Sequence, residues 1–258
     1  MEEAFRLAPE QWLLGLIFAS IRCAATLALL PALGGQMIPL RVRIGLSGAF
    51  GFLMLGMAHP PQPPADLLSL AGFAAIAGEL LIGGLASLSL HAAFGAALLA
   101  GEWMAQTMGL GFATQVAPGS APTPVLSGLL ALLCWALFLD SGGHLLLLRI
   151  LAESYRAMPD AGALFDPARL WAIVGWGSFV FASGLVAALP VGAALLLVNL
   201  ALAVATRSAP QLNLFSVGFP VMLLAGLAGL PLALPAIADS LAGMLTAMQD
   251  QLAEVLLG

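Results

Sequence analysis

Six apolar stretches run along the chain, separated by turns rich in proline and glycine. Trp12 to Leu33 is long enough to span a bilayer. Ile44 to Met57 is short, ~21 Å at ~1.5 Å per residue, against a hydrocarbon core of ~30 Å. Leu67 to Leu99 is too long for one perpendicular span and predicts a helix that tilts or extends beyond the bilayer. Val125 to Leu148 is interrupted by Asp140-Ser141-Gly142-Gly143-His144, a helix break with a polar turn. Leu170 to Thr206 carries Pro190, where a kink or a hairpin is expected. Val217 to Leu257 contains Pro220, Pro231 and Pro235, which predict a break into two pieces.

The connections add detail. His59 to Pro64 reads HPPQPP, a stiff polyproline-like turn. Arg149 to Arg169 is the longest weakly apolar region. Its Met158-Pro159-Asp160 and Phe165-Asp166-Pro167 are turn signals, with Asp166 placed as a helix N-cap. No repeat recurs at a fixed period. One connection departs from the polar norm. Gln106 to Ser120 reads QTMGLGFATQVAPGS, within a loop that extends over residues 106–124. Gly109 and Gly111 loosen the backbone, and Pro118, Pro122 and Pro124 stop a helix from continuing. Yet Met108, Leu110 and Phe112 are large and apolar. Such a loop predicts a flexible hydrophobic stopper or a broken helix lining a cavity.

Composition sets the class. The 258 residues are 61% hydrophobic and 8% charged, where a soluble domain carries about 25% charged residues. The mean hydropathy is +1.05. The chain is therefore expected to be an all-α polytopic membrane protein, one domain over residues 1–258, with long, tilted and broken helices. Glu2 and Glu3 precede Arg6, the wrong sign for a signal peptide, so the first apolar run is expected to be a retained span. All eight basic residues are arginine, and no basic run exists to hold nucleic acid. Alternation of six spans divides the seven arginines other than mid-span Arg22 three against four, which gives no positive-inside orientation.

Several polar residues fall inside apolar stretches. Glu79, Gly83, Ser87, His91 and Gly95 recur every four residues along one helix, a row that drifts only ~40° per step. Small residues there let another helix approach closely, and the polar ones can hydrogen-bond across. The other reading is a polar path for ions or protons through Glu79 and His91. Arg22 lies mid-span in the first stretch, where it calls for a carboxylate such as Glu79 or Glu102, a partner on another subunit, or snorkelling to an edge. Ser141 and His144 invite the idea of an intramembrane hydrolase, but their spacing sets no nucleophile–base pair. His59, His91 and His144 lack metal-ligand spacing. Cys23 and Cys134 lie in separate apolar segments and read as packed thiols. No catalytic residue, cofactor site or metal site is expected.

The ordered motifs resemble a known family. Ala100-Gly101-Glu102, Gln106, Met108-Gly109-Leu110-Gly111-Phe112-Ala113-Thr114 and Pro118-Gly119-Ser120 are similar to the central signature of the FliR family. Flanking blocks agree in order: Gln11-Trp12-Leu13, Ile38 to Arg43, Gly142 to Leu145, Met158-Pro159 and Ala188 to Val191. Further on come Asn199 to Leu202, Arg207, Ala209 to Phe215 with its Pro210, Asn213 and Phe215, and Gly218 to Pro220. The resemblance implies a non-enzymatic subunit of the type III export gate in the bacterial inner membrane, within the flagellar basal body. It implies a helical hetero-oligomer with FliP-like and FliQ-like subunits, working with FlhB-like and FlhA-like proteins on unfolded flagellar or effector substrates. It also maps a pore plug onto Met108, Gly109, Leu110, Gly111, Phe112 and Ala113. An injectisome-type gate subunit is one alternative, and a proton-coupled secondary transporter using Glu79 and His91 is another. Two positions depart from the family's pattern: Gln115 stands where an aromatic is expected and Ala117 where an Asp is frequent.

Overall fold

The computed structural model describes residues 9–31, 39–57, 69–110, 125–159, 161–208 and 217–258. These residues form seven α-helices, one short 3-10 turn and no strand. In chain order the helices are α1 (Pro9–Leu29), α2 (Leu40–Met57), α3 (Leu70–Thr107), α4 (Val125–Asp140), α5 (Gly143–Ala157), α6 (Pro167–Ser208) and α7 (Phe219–Leu257). The 3-10 turn covers Ala161–Phe165. Four helices, α1, α3, α6 and α7, are long and apolar enough to cross a membrane. The pair α4 and α5, separated by a short break, makes a fifth candidate if it is taken as one span. The chain is an all-α polytopic membrane protein.

Local chemistry sets the helix ends. Ser69 caps α3, its hydroxyl accepting from the Gly72 N–H at 3.1 Å. Pro167 opens α6 in the first turn, where a missing N–H costs nothing, and Leu170 N–H reaches the Asp166 carbonyl at 3.0 Å. Gly142, at φ 71°, turns the chain between α4 and α5.

Three expectations need correction. The stretch from Leu170 to Thr206 holds no hairpin, because α6 runs unbroken through Pro190 for 42 residues. The last stretch does not divide, because α7 is one helix of 39 residues with Pro231 and Pro235 inside it. Each proline removes one backbone hydrogen bond, and the ladder on either side carries the helix past it. Pro220 sits in the first turn of α7, where no intrahelical donor is lost. The third correction concerns Arg149 to Arg169, whose first half is helical rather than loop. Leu147, Ile150, Leu151, Ser154 and Tyr155 form the buried face of α5, while Arg149, Glu153 and Arg156 are exposed. That spacing of three and four is an amphipathic helix.

Contacts group the chain into two compact units. Unit 1 is Met1–Ala92, Gly142–Trp176 and Ala247–Gly258, and unit 2 is Ala93–Ser141 and Gly177–Thr246. Helices α3, α6 and α7 each continue from one unit into the other. In unit 1, α2 meets α1 where Gly51 lies against Ser20 and Trp12 sets its ring edge-on to Phe52. In unit 2, Phe94 of α3 stacks on Trp135 of α4 at 4.6 Å between centroids, with Phe138 completing the cluster. There α3 also meets α6, since a Cβ on Gly184 would lie 2.9 Å from the Ala96 carbonyl oxygen.

Candidate functional site

Two sites stand out, one in each unit. The first is a buried polar knot around Arg22. Its side chain is wholly buried and Glu79 is 2% exposed. Arg22 Nε donates to Glu79 Oε2 at 2.8 Å, and Nη2 donates to Oε1 at 2.9 Å, a bidentate pair. Nη1 donates to Ser154 Oγ at 2.8 Å and Nη2 to the Met158 carbonyl at 3.1 Å. The guanidinium carbon lies 4.1 Å over the Tyr155 ring. The Tyr155 hydroxyl donates in turn to the Ala19 carbonyl at 2.6 Å. A charge in an apolar interior is tolerated only when paired and hydrogen-bonded, and this one is both.

The knot fixes three helices. Gly83 brings α3 against α1, since a Cβ there would run into the Arg22 carbonyl and lie 2.9 Å from Ala25 Cβ. Thr26 Oγ1 sits between the Arg22 and Gly83 carbonyl oxygens, 3.0 Å from each. Helix α5 supplies Ser154 and Tyr155. Removing one member of such a pair strands the other charge and costs about 3–5 kcal/mol.

The row that begins at Glu79 changes character along α3. Glu79, Gly83 and Ser87 are buried, and His91 is exposed. His91 Nδ1 lies 3.1 Å from the Ser87 carbonyl. Gly95 is half-buried, with Val180 Cγ1 3.7 Å from where its Cβ would stand. Glu79 and His91 are ~18 Å apart along the helix axis, and both oxygens of Glu79 are held by Arg22. The structure does not bring those two together. Ser141 Oγ donates to the Phe138 carbonyl at 3.3 Å, and His144 is exposed. Among the described residues no cluster of His, Cys, Asp and Glu could hold a metal. Cys23 and Cys134 are free and buried.

The second site, in unit 2, is the turn that ends α3. Leu110 N–H reaches back to the Ala105 carbonyl at 2.9 Å, and Gly109 N–H to the Gln106 carbonyl at 3.0 Å. That paired pattern, with Gly109 left-handed at φ 79°, is a Schellman motif. The helix therefore stops at a defined point. Met108, wholly buried, lies directly over Gly226 of α7, where a Cβ would come within 2.5 Å of Met108 Cγ and 2.6 Å of Cε. The Phe219 ring covers Gly109, 2.8 Å from where its Cβ would stand. Leu110 is half-buried. One turn back, Gln106 Nε2 donates to Glu102 Oε1 at 2.7 Å. Among the described residues, Met108 and Gly109 meet Gly226 and Phe219 through apolar atoms.

Of the other residues singled out in the sequence, Asn199 and Arg207 are exposed on α6. Gly111, Phe112, Ala113, Pro118, Pro210, Asn213 and Phe215 lie outside the described residues, as do Gln115, Ala117 and His59 to Pro64. Sequence reasoning missed Ser154, Tyr155 and Met158 as partners of Arg22, and Phe219 and Gly226 as partners of the turn. The periodicity of α5 carried the signal for the first group. Nothing marked Gly226 among 29 glycines.

Comparison with known proteins points one way. The family described as bacterial export proteins, family 1, matches residues 13–248. The flagellar biosynthetic protein FliR of Escherichia coli (strain K12) is 34% identical, covering 96% of this chain and 95% of that protein. The protein of the same name from Pectobacterium carotovorum subsp. carotovorum is 35% identical over 95% of this chain and 94% of its own. That of Aquifex aeolicus (strain VF5) is 31% identical over 90% of each.

Proposed function

The chain belongs to the bacterial export proteins of family 1, the FliR family, and from that premise we propose that it is a core channel subunit of the flagellar type III export gate. It forms the pore for unfolded export substrates together with FliP-like and FliQ-like subunits, in the inner membrane within the basal body. FlhB-like and FlhA-like proteins are its further partners. The role is non-enzymatic, and Met108 to Ala113 form the stopper of the closed pore. The flagellar names of the matched relatives favour this setting over an injectisome.

The observation that carries the reading is the apolar root of the loop. The Schellman turn ends α3, Met108 is seated over Gly226, and the Phe219 ring covers Gly109. A seal for unfolded chains must exclude ions when closed and accept varied sequences when open. Apolar residues exclude ions by dewetting, and a methionine adapts to its neighbours. Displacing such contacts strands no charge, so the loop can move aside without a large barrier.

Helix length supports an assembly. Helix α6 would be ~63 Å long, twice a ~30 Å hydrocarbon core. Large apolar side chains are exposed along it from Trp171 to Val204. Lipid at ordinary tilts covers only part of that length, so helices of other subunits cover the rest.

Deleting Gly109 to Phe112 in cells tests the plug. The expected outcome is a membrane leaky to small ions while the protein still co-purifies with its FliP-like partner. A tight membrane with the assembly intact would sink the stopper.

A further inference from the structure

A groove of about 430 Å³ runs between α2 and α5 in unit 1. Leu53 and Met54 of α2 and Leu145 and Leu148 of α5 make its apolar walls. Leu53 and Leu145 are exposed, at 49% and 62%. Two guanidinium groups border it, Arg149 and Arg156, two turns apart on the same face of α5. Arg149 uses its Nε on Glu153 Oε1 at 2.7 Å, which leaves its two terminal nitrogens outside that contact. Arg156 makes no ion pair among the described residues. The border therefore carries a net positive charge over an apolar trough.

We propose that this groove holds one acyl chain of an anionic phospholipid, whose phosphate is bound by Arg156 and Arg149. Three observations select that occupant. The walls are aliphatic and open to the surface, as an acyl chain requires. The rim offers planar cationic donors, which match phosphate oxygens. The amphipathic α5 directly follows the apolar α4 along the chain, so the apolar-to-polar transition of a membrane surface is written into two consecutive helices. Glu153 offsets one of the two arginines, so the rim keeps the charge of a single cation for the phosphate. The inference rests on the chain's membrane setting and is independent of the plug.

The test uses the full-length protein, purified in mild detergent in the assembly it forms. It is exposed to equal amounts of dioleoylphosphatidylglycerol and dioleoylphosphatidylcholine, and retained lipid is counted by native mass spectrometry. Phosphatidylglycerol should be retained preferentially. Arg156→Gln and Arg149→Gln should each lower its retention roughly fivefold, in line with the attraction of one arginine for an anionic lipid surface. Leu148→Trp, which fills the trough and leaves the charges, should also reduce it. Arg207→Gln, on the exposed end of α6, should change nothing. Equal retention of the two lipids would overturn the proposal, as would indifference to the three groove variants. A cysteine placed by Leu145→Cys supplies the last arm. Its protection from a maleimide in the lipid-stripped assembly would show that a protein subunit fills the groove, which also overturns the proposal.

Discussion

The polar knot of unit 1 and the apolar turn of unit 2 hold the chain by opposite means. At the knot, one guanidinium is tied to Glu79, Ser154 and Met158, and every link is a directed hydrogen bond. At the turn, Met108 is held over Gly226 and Gly109 under Phe219 with no side-chain hydrogen bond between those partners. The knot cannot open without leaving a charge unmet in an apolar interior, which makes it all-or-none. The turn can open by sliding apolar surfaces apart, at a cost graded with the area exposed. A gate belongs where opening is graded and leaves nothing unsatisfied. A fixed frame belongs where it is not.

The largest break in that comparison comes from Glu79→Ala. It strands Arg22 and should destabilise the protein by about 3–5 kcal/mol, seen as a lower unfolding temperature in detergent. The double variant Arg22→Met with Glu79→Leu removes both charges and should recover most of that loss. If the double variant is as unstable as the single one, the knot matters for shape rather than charge.

Next in size is Gly226→Leu, which drives a side chain into Met108. Overpacking there should cost about 1–3 kcal/mol, and Met108→Ala in the same chain should relieve part of it. Independent, additive effects in thermal unfolding would contradict the contact. The smallest effect expected is that of Ser154→Ala, which leaves one Arg22 donor without its acceptor while the ion pair stays. A loss of about 1–2 kcal/mol, well under that of Glu79→Ala, keeps the ranking.

The sequence made the two sites legible to different depths. Arg22 announced its need because a mid-span guanidinium must be neutralised, and Glu79 was one of few carboxylates within reach. Ser154 and Tyr155 stayed hidden because α5 begins in a run of leucines and ends among charges, so its helical period straddled an assumed loop. The turn at Gly109 was visible as a stop, since glycine and the prolines beyond it forbid a continuing helix. Its seat on Gly226 was not, because contact by shape leaves no chemical mark across a long separation in sequence. Pro231 and Pro235 misled for a related reason. Proline forbids one hydrogen bond, and a 39-residue helix keeps enough others on each side.

We propose that the loop rooted at Met108 and Gly109 seals the pore and that the Arg22 knot does not. Ionic conductance of the purified assembly in a planar bilayer tests it most directly. The wild-type protein and the Arg22→Met, Glu79→Leu double variant should both be silent, and deletion of Gly109 to Phe112 should conduct potassium. A silent deletion, or a double variant that conducts as freely as the deletion, would contradict the account.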